Sequence, residues 1–141
     1  HLTLVQTLPV TGAVIVTTPQ KVAIADARKG LAMFTQPQIN VPALGVVENM
    51  SYFTLSEVPD NKHYIFGKDG GRTLAEQTDV PFLGEIPIVQ SIRESGDVGF
   101  PAVLKDDITA KVFSQLAEEV ARQVAIRNAT MENTSTVDVE G

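Results

Sequence analysis

Groups able to do acid–base or metal chemistry are sparse in this sequence, and none is arranged for it. The only histidines are His1 and His63. His63 sits beside Tyr64 in an aromatic segment, where a histidine ordinarily serves as a surface or packing residue. The carboxylates Asp26, Glu48, Glu85 and Asp97 fall on helix faces or near strand ends, without paired-acid or metal-ligand spacing. No nucleophile lies next to a base. Cysteine is absent, which excludes a disulfide, a thiolate nucleophile, and a thiolate-held zinc or iron–sulfur centre made by these residues. The run Gly67-Lys68-Asp69-Gly70-Gly71 suggests a phosphate cradle, because backbone N–H groups at a helix start attract anions. It lacks the Walker spacing G-x-x-x-x-G-K-[ST], and no Ser or Thr follows its lysine, so it reads as a turn. Asn49 remains. It follows Leu44-Gly45-Val46-Val47, an apolar run that turns abruptly polar at Glu48-Asn49. In an open parallel sheet, ligands bind just past the carboxyl ends of the strands. Asn49 either caps a loop, as Asn often does, or faces a ligand.

The elements that must position these groups follow from periodicity and punctuation. Residues 1–8 place Leu2, Val5 and Leu8 at helical spacing until Pro9. Residues 12–18 are a continuous β-branched run, expected to be a buried parallel strand rather than a solvated one. At Thr18-Pro19-Gln20 the spacing predicts a helix start, with Thr18 capping, Pro19 in the first turn, and Thr17 with Gln20 as a capping box. That helix runs to about Thr35 on a stripe of Ile24, Ala27, Leu31 and Phe34. The strand at 41–47 completes a βαβ unit, with its right-handed crossover. Residues 50–70 break the rhythm. Two aromatic segments, 51–54 and 62–66, flank Pro59-Asp60-Asn61 and read as an inserted hairpin or flap. A short helix at 72–78, a third strand at 80–87 and a short helix or turn at 88–95 follow. Asp106 or Asp107 then caps the longest helix, with Ile108, Val112, Leu116, Val120 and Val124 on one stripe and Glu118 placed to pair with Arg122.

Three parallel-type strands interleaved with helices indicate an α/β fold, the carboxyl-terminal portion of a doubly wound, mainly parallel sheet. The expected division is a folded region at 1–129 and an acidic, aperiodic, disordered tail at 130–141. Position 1 is His, with the apolar pattern already running at Leu2, so the chain reads as a piece of something longer or as a processed chain. Three carboxyl-end edges, 17–20, 48–51 and 86–91, are expected to face one crevice. The net charge is −6, and Glu132, Asp138 and Glu140 of the tail carry half of it. No basic stripe survives that balance, which argues against nucleic acid as a partner. No apolar run approaches the length of a membrane span, and no signal-peptide pattern is present.

At those same edges the sequence is recognisable. The strings HLTLVQTLPVTGAVIVTTPQKVAIADARKG, LGVVENMSYF, IFGKDGG and VPFLGEIPIVQSIRESGD closely resemble the Mrp/ApbC family of deviant-Walker P-loop ATPases. These are iron–sulfur cluster carriers related to MinD and the nitrogenase iron protein. The resemblance spans roughly residues 1–125 and corresponds to the carboxyl-terminal half of the ATPase domain, without the Walker A loop. It implies ATP, with Mg, as the parent protein's cofactor, a cytoplasmic homodimer, and apo iron–sulfur proteins as clients. It also implies that Asn49 bonds the adenine base, that Pro87 and Ile88 border it, and that Asp26 and Arg28 lie near a nucleotide-dependent dimer surface. The alternative for those last two is a solvated helix face.

One departure bears on the cargo. Many family members carry a Cys-x-x-Cys pair shortly after MSYF, where this chain has Thr54-Leu55-Ser56-Glu57. Three readings follow: the distal part of a cluster-carrying ATPase, an ATP-switched interaction protein of the MinD type without a cluster, or an inert structural module. Under the first, the chain alone neither hydrolyses ATP nor binds it tightly, since most charge-assisted phosphate contacts lie elsewhere. A MinD-type membrane-binding amphipathic tail has no counterpart in the acidic stretch 130–141.

Overall fold

The computed structural model describes residues 2–55, 57–105 and 107–137. Helix α1 (Leu2–Thr7) leads into strand β1 (Ala13–Thr17), helix α2 (Lys21–Phe34) and strand β2 (Ala43–Glu48). A hairpin of β3 (Phe53–Leu55) and β4 (Val58–His63) follows, then α3 (Gly70–Thr78), β5 (Phe82–Glu85) and α4 (Gln90–Val98). A 3₁₀ turn at Ala102–Leu104 precedes the long closing helix α5 (Ile108–Thr130).

The main sheet has the order β1-β2-β5, with both pairings parallel. Helices cover both faces, as the alternating side chains of β2 require. Val46 packs with Ala27 and Leu31 of α2 and with Leu74 and Ala75 of α3. Val47 points the other way, into a cluster of Leu83 and Ile86 with Val112, Phe113, Leu116 and Val120 of α5. A third cluster gathers Val5, Ile39, Val41 and Val137. The doubly wound α/β expectation, with its small inserted hairpin, therefore holds. Beyond α5, residues 131–137 have no regular secondary structure. Val137 donates its backbone N–H to the Val5 carbonyl at 3.0 Å, and Arg127 Nη2 donates to Thr134 Oγ1. Residues 138–141 of the acidic tail, like His1, Ser56 and Asp106, lie outside the described residues.

Several local expectations are corrected. Strand β1 is not buried throughout, and Val16 is 60% exposed. The reason is topological: Val16 stands in register with Val47 on the face that α5 covers, and α5 packs mainly over β2 and β5, leaving the end of the edge strand β1 bare. Helix α2 begins after Gln20, which has extended backbone and makes no side-chain cap. The Thr17 hydroxyl donates to the Thr18 carbonyl at 3.0 Å and the Thr18 hydroxyl to Gln20 Oε1 at 3.2 Å, so neither serves the helix. Pro19 stays outside the helix, pressed onto the 67–70 loop. A Cβ built on Gly70 would lie 2.8 Å from the Pro19 carbonyl oxygen, which is why glycine stands there. The flap turns between Leu55 and Val58, earlier than expected, and 59–61 belong to β4. On α5, Arg122 reaches Glu119 at 3.8 Å and not Glu118. The Asp107 cap is present, its Oδ1 accepting from the Ala110 N–H at 3.0 Å.

Candidate functional site

The carboxyl ends of the three parallel strands lie side by side. Thr17 of β1 is in register with Glu48 of β2, and Glu48 with Glu85 of β5. Main-chain pairing continues past the strands. The Asn49 N–H donates to the Thr17 carbonyl at 2.7 Å, Ile86 N–H to Glu48 O at 2.8 Å, Ser51 N–H to Ile86 O at 3.0 Å, and Ile88 N–H to Tyr52 O at 2.7 Å. These bonds hold 49–52 between the end of β1 and the segment 86–88. Asn49, Pro87 and Ile88 are thereby brought to one end of the sheet, with Pro87 buried and Ile88 half-buried.

Asn49 is half-buried and partly engaged. Its Oδ1 accepts from the Met50 N–H at 2.8 Å, closing a tight turn in which Met50 takes the left-handed conformation at φ 52°. Its amide nitrogen makes no hydrogen bond among the described residues. Asn49 lines a cavity of about 400 Å³ with Val16, Thr17, Thr18, Ala23, Asp26 and Ala27. So Asn49 both closes its own turn and lines a cavity at the strand ends with its amide nitrogen unspent, whereas Pro87 and Ile88 do not line that cavity.

Asp26 and Arg28, two residues apart on α2, go different ways because a helix turns about 200° between them. Asp26 borders the Asn49 cavity. Arg28 Nη2 donates to Gln77 Oε1 at 2.5 Å, tying α2 to α3. His63 pairs with Phe53 in the flap and is exposed. Asp97 accepts from Arg93 at 3.0 Å on α4, and Glu85 faces Lys62 at 3.7 Å.

The residue that sequence reasoning undervalued is Glu48. It closes β2 and is wholly buried, at 0% exposure. Its Oε1 accepts from the Ser51 hydroxyl at 2.6 Å and its Oε2 from the Gly71 N–H at 2.5 Å. Gly71 is in the first turn of α3, where the helix dipole favours a negative charge. Thus the anion position suggested by the glycine-rich loop exists, but the chain's own carboxylate fills it. A Cβ on Gly71 would meet Glu48 Cβ at 3.0 Å and Oε2 at 3.1 Å, so glycine lets the strand end and the helix start meet. The signal available in sequence was a carboxylate ending an apolar strand with a bare Gly-Gly helix start downstream.

Comparison with known proteins decides the family. Residues 1–124 match the family model described as the NUBPL iron-transfer P-loop NTPase. This chain belongs to that family. Relatives of the NUBPL family include an iron–sulfur cluster carrier protein of Synechocystis, 45% identical over 128 residues, covering 89% of this chain and 36% of the relative. The iron–sulfur cluster transfer protein NUBPL of Mus musculus is also 45% identical over 128 residues, covering 88% of this chain and 39% of the relative. This chain thus spans little more than a third of the length of these relatives. Among solved structures, a nucleotide-binding protein of Archaeoglobus fulgidus in complex with ADP superposes with a TM-score of 0.59 at 35% identity, over 70% of this chain and 39% of that one. The cell division ATPase MinD of Pyrococcus furiosus gives 0.58 at 25% identity, over 79% and 43%. The P-loop NTPase architecture and the cluster-carrier kinship inferred from the sequence strings both stand.

The donor set does not fit an iron–sulfur cargo. The chain has no cysteine, the stretch Thr54-Leu55-Ser56-Glu57 that the resemblance aligns with a Cys-x-x-Cys pair carries no sulfur, and the described residues contain no group of three His, Cys, Asp or Glu able to hold a metal. Among the described residues, no helix is long and apolar enough to cross a membrane.

Proposed function

We propose that this chain forms the base-side wall of the nucleotide site in an ATP-binding, ATP-hydrolysing P-loop protein that serves iron–sulfur cluster assembly. In this reading the Asn49 amide N–H donates to a ring nitrogen of adenine, and Pro87 and Ile88 flank the purine. The observation that carries the reading is the unspent Asn49 donor at the joined carboxyl ends of β1 and β2. An amide suits a purine edge, which alternates acceptors and a donor. Residues outside this chain supply the triphosphate clamp and the magnesium ligands, because the anion position at α3 is already taken by Glu48. The chain therefore neither hydrolyses ATP nor binds it tightly by itself. The complete protein acts as a cytoplasmic homodimer whose subunits meet near Asp26 and Arg28, with Arg28 also seating α2 on α3.

Any cluster is cargo held by ligands beyond this chain and delivered to apo iron–sulfur proteins. The missing thiolates favour one second reading, a nucleotide-switched interaction protein of the MinD type that carries no cluster. Anaerobic reconstitution of the complete protein separates the two, since the carrier gains cluster absorbance and the switch does not.

The base contact is tested in the complete protein by Asn49→Ala. Losing one hydrogen bond of about 1–1.4 kcal/mol raises the Kd for ATP roughly 5–10-fold. Affinity for inorganic triphosphate, which has no base, stays unchanged. Equal ATP affinity in the two proteins would remove Asn49 from the site.

A further inference from the structure

The outer edge of β5 carries features that the nucleotide site does not use. Strand β5 has no neighbouring strand on its far side among the described residues. An edge strand is a template for a further strand. Two cavities run along this edge and share Arg72 and Phe82. One, of about 530 Å³, lies between β5 and α5, with Leu83, Val112 and Leu116 as its apolar lining. The other, of about 430 Å³, lies beside α3 and the entry to β5. Together they form a trough on both sides of the strand edge.

Its charge is one-sided. Glu76, Asp79, Glu85, Glu118 and Glu119 line it against the single cation Arg72. The guanidinium of Arg72 lies over the Phe82 ring at 4.4 Å and also reaches Asp69 at 3.9 Å. Lys62 of the flap sits over Tyr52 at 4.1 Å and reaches Glu85 at 3.7 Å, while Glu119 reaches Arg122. Glu76, Asp79 and Glu118 make no ion pair among the described residues. The whole chain adds a net −6 to the local field.

We propose that the outer edge of β5 accepts an extended segment of a partner protein, with alternating apolar and Lys or Arg residues, as an added strand. Main-chain bonds to the β5 edge supply the pairing, and alternate side chains meet the apolar lining and the carboxylate rim. Charge selects this occupant. A second copy of the chain would bring acidic rim against acidic rim, which is unfavourable across paired strands. A basic segment also displaces Lys62 from Glu85 without a net loss of ion pairing. Because β5 has only four residues, the partner needs a stretch of about 4–6 residues.

The test uses the full chain and a labelled, end-capped peptide of about eight alternating Val and Lys residues. Fluorescence anisotropy compares it with the Val/Glu counterpart, on the native chain and on Glu118→Lys/Glu119→Lys. Glu118 is exposed and Glu119 half-exposed on the rim of the β5–α5 cavity, and a thermal melt confirms that the variant folds. The Val/Lys peptide binds the native chain, binds the variant about tenfold or more weakly, and weakens as salt rises. The Val/Glu peptide does not bind. On binding, the amides of Phe82 and Glu85, which the β2 pairing leaves on the outer side, gain protection from hydrogen exchange, which charge adsorption elsewhere would not produce. Absence of binding, equal binding by the variant, or binding without protection at those amides overturns the proposal. So does concentration-dependent protection of the same amides without peptide, which would mean self-pairing. None of these outcomes bears on Asn49, which lines a cavity on the β1 side of β2 and neither of the two along β5.

Discussion

Replacing Glu48 tests the join on which the strand ends depend. The carboxylate is fully buried and accepts two short hydrogen bonds, from Ser51 at 2.6 Å and from Gly71 at 2.5 Å. Bonds to a charged acceptor are worth about 1.5–3 kcal/mol each, and Glu48→Ala removes both. Part of that loss is returned, because a carboxylate no longer has to be held out of water. The remainder is dominated by a hydroxyl and an N–H left unpaired in a dry interior, giving a net loss of about 2–4 kcal/mol. For a domain of this size that lowers Tm by roughly 5–12 °C. Glu48→Gln keeps the shape. Its amide oxygen accepts from Gly71 and its amide nitrogen donates to the Ser51 hydroxyl, so only the charge assistance goes, at about 1 kcal/mol. Urea unfolding of the three proteins reads these values directly. An Ala variant within about 0.5 kcal/mol of native, or a Gln variant as unstable as Ala, would refute the hydrogen-bonding account. A Ser51→Ala cycle with Glu48→Ala should also be non-additive by more than about 0.5 kcal/mol.

Other perturbations have equally definite expectations. Gly70→Ala forces a Cβ to within 2.8 Å of the Pro19 carbonyl oxygen, a backbone atom that cannot swing aside, and should cost about 1–3 kcal/mol in urea unfolding. Asp107→Ala removes the acceptor for the Ala110 N–H at the start of α5 and should cost about 1 kcal/mol, while Asp107→Asn should be near neutral. Asn49→Ala, decisive for nucleotide affinity, should change stability by less than about 1 kcal/mol, since it removes one half-exposed turn bond.

How much of this was legible in the sequence depends on the range of the interactions involved. The stripe Ala27–Leu31 and the unbroken run at 44–47 announce their elements because burial repeats with the period of helix or strand, and the structure buries those residues. The Asp107 cap is likewise a local signal. Contacts between distant segments left no such trace. Glu48 looks like the polar end of a strand, and only its meeting with Gly71, 23 residues on, turns it into a buried linchpin. Pro19 fits a helix start by every local rule, yet its seat against Gly70 decides its place. Val16 belongs to a run that reads as buried, and its exposure follows from sheet order, which periodicity does not encode. For the candidate site, the end of β2 was readable from the apolar-to-polar switch. That Asp26 shares the Asn49 cavity while Arg28 braces α3 is a matter of helix phase and packing.

The central claim is that the junction of β1 and β2 receives a purine at Asn49. Its most direct measurement is a nuclear magnetic resonance titration of the isotope-labelled chain with adenosine, which lacks the phosphates that other residues would clamp. The account predicts saturable shifts at the Asn49 side-chain amide and at Thr17, Thr18 and Asp26, which line the same cavity, with ribose alone producing none. Shifts confined to other surfaces, or an Asn49 amide that stays fixed while adenosine binds, would contradict it.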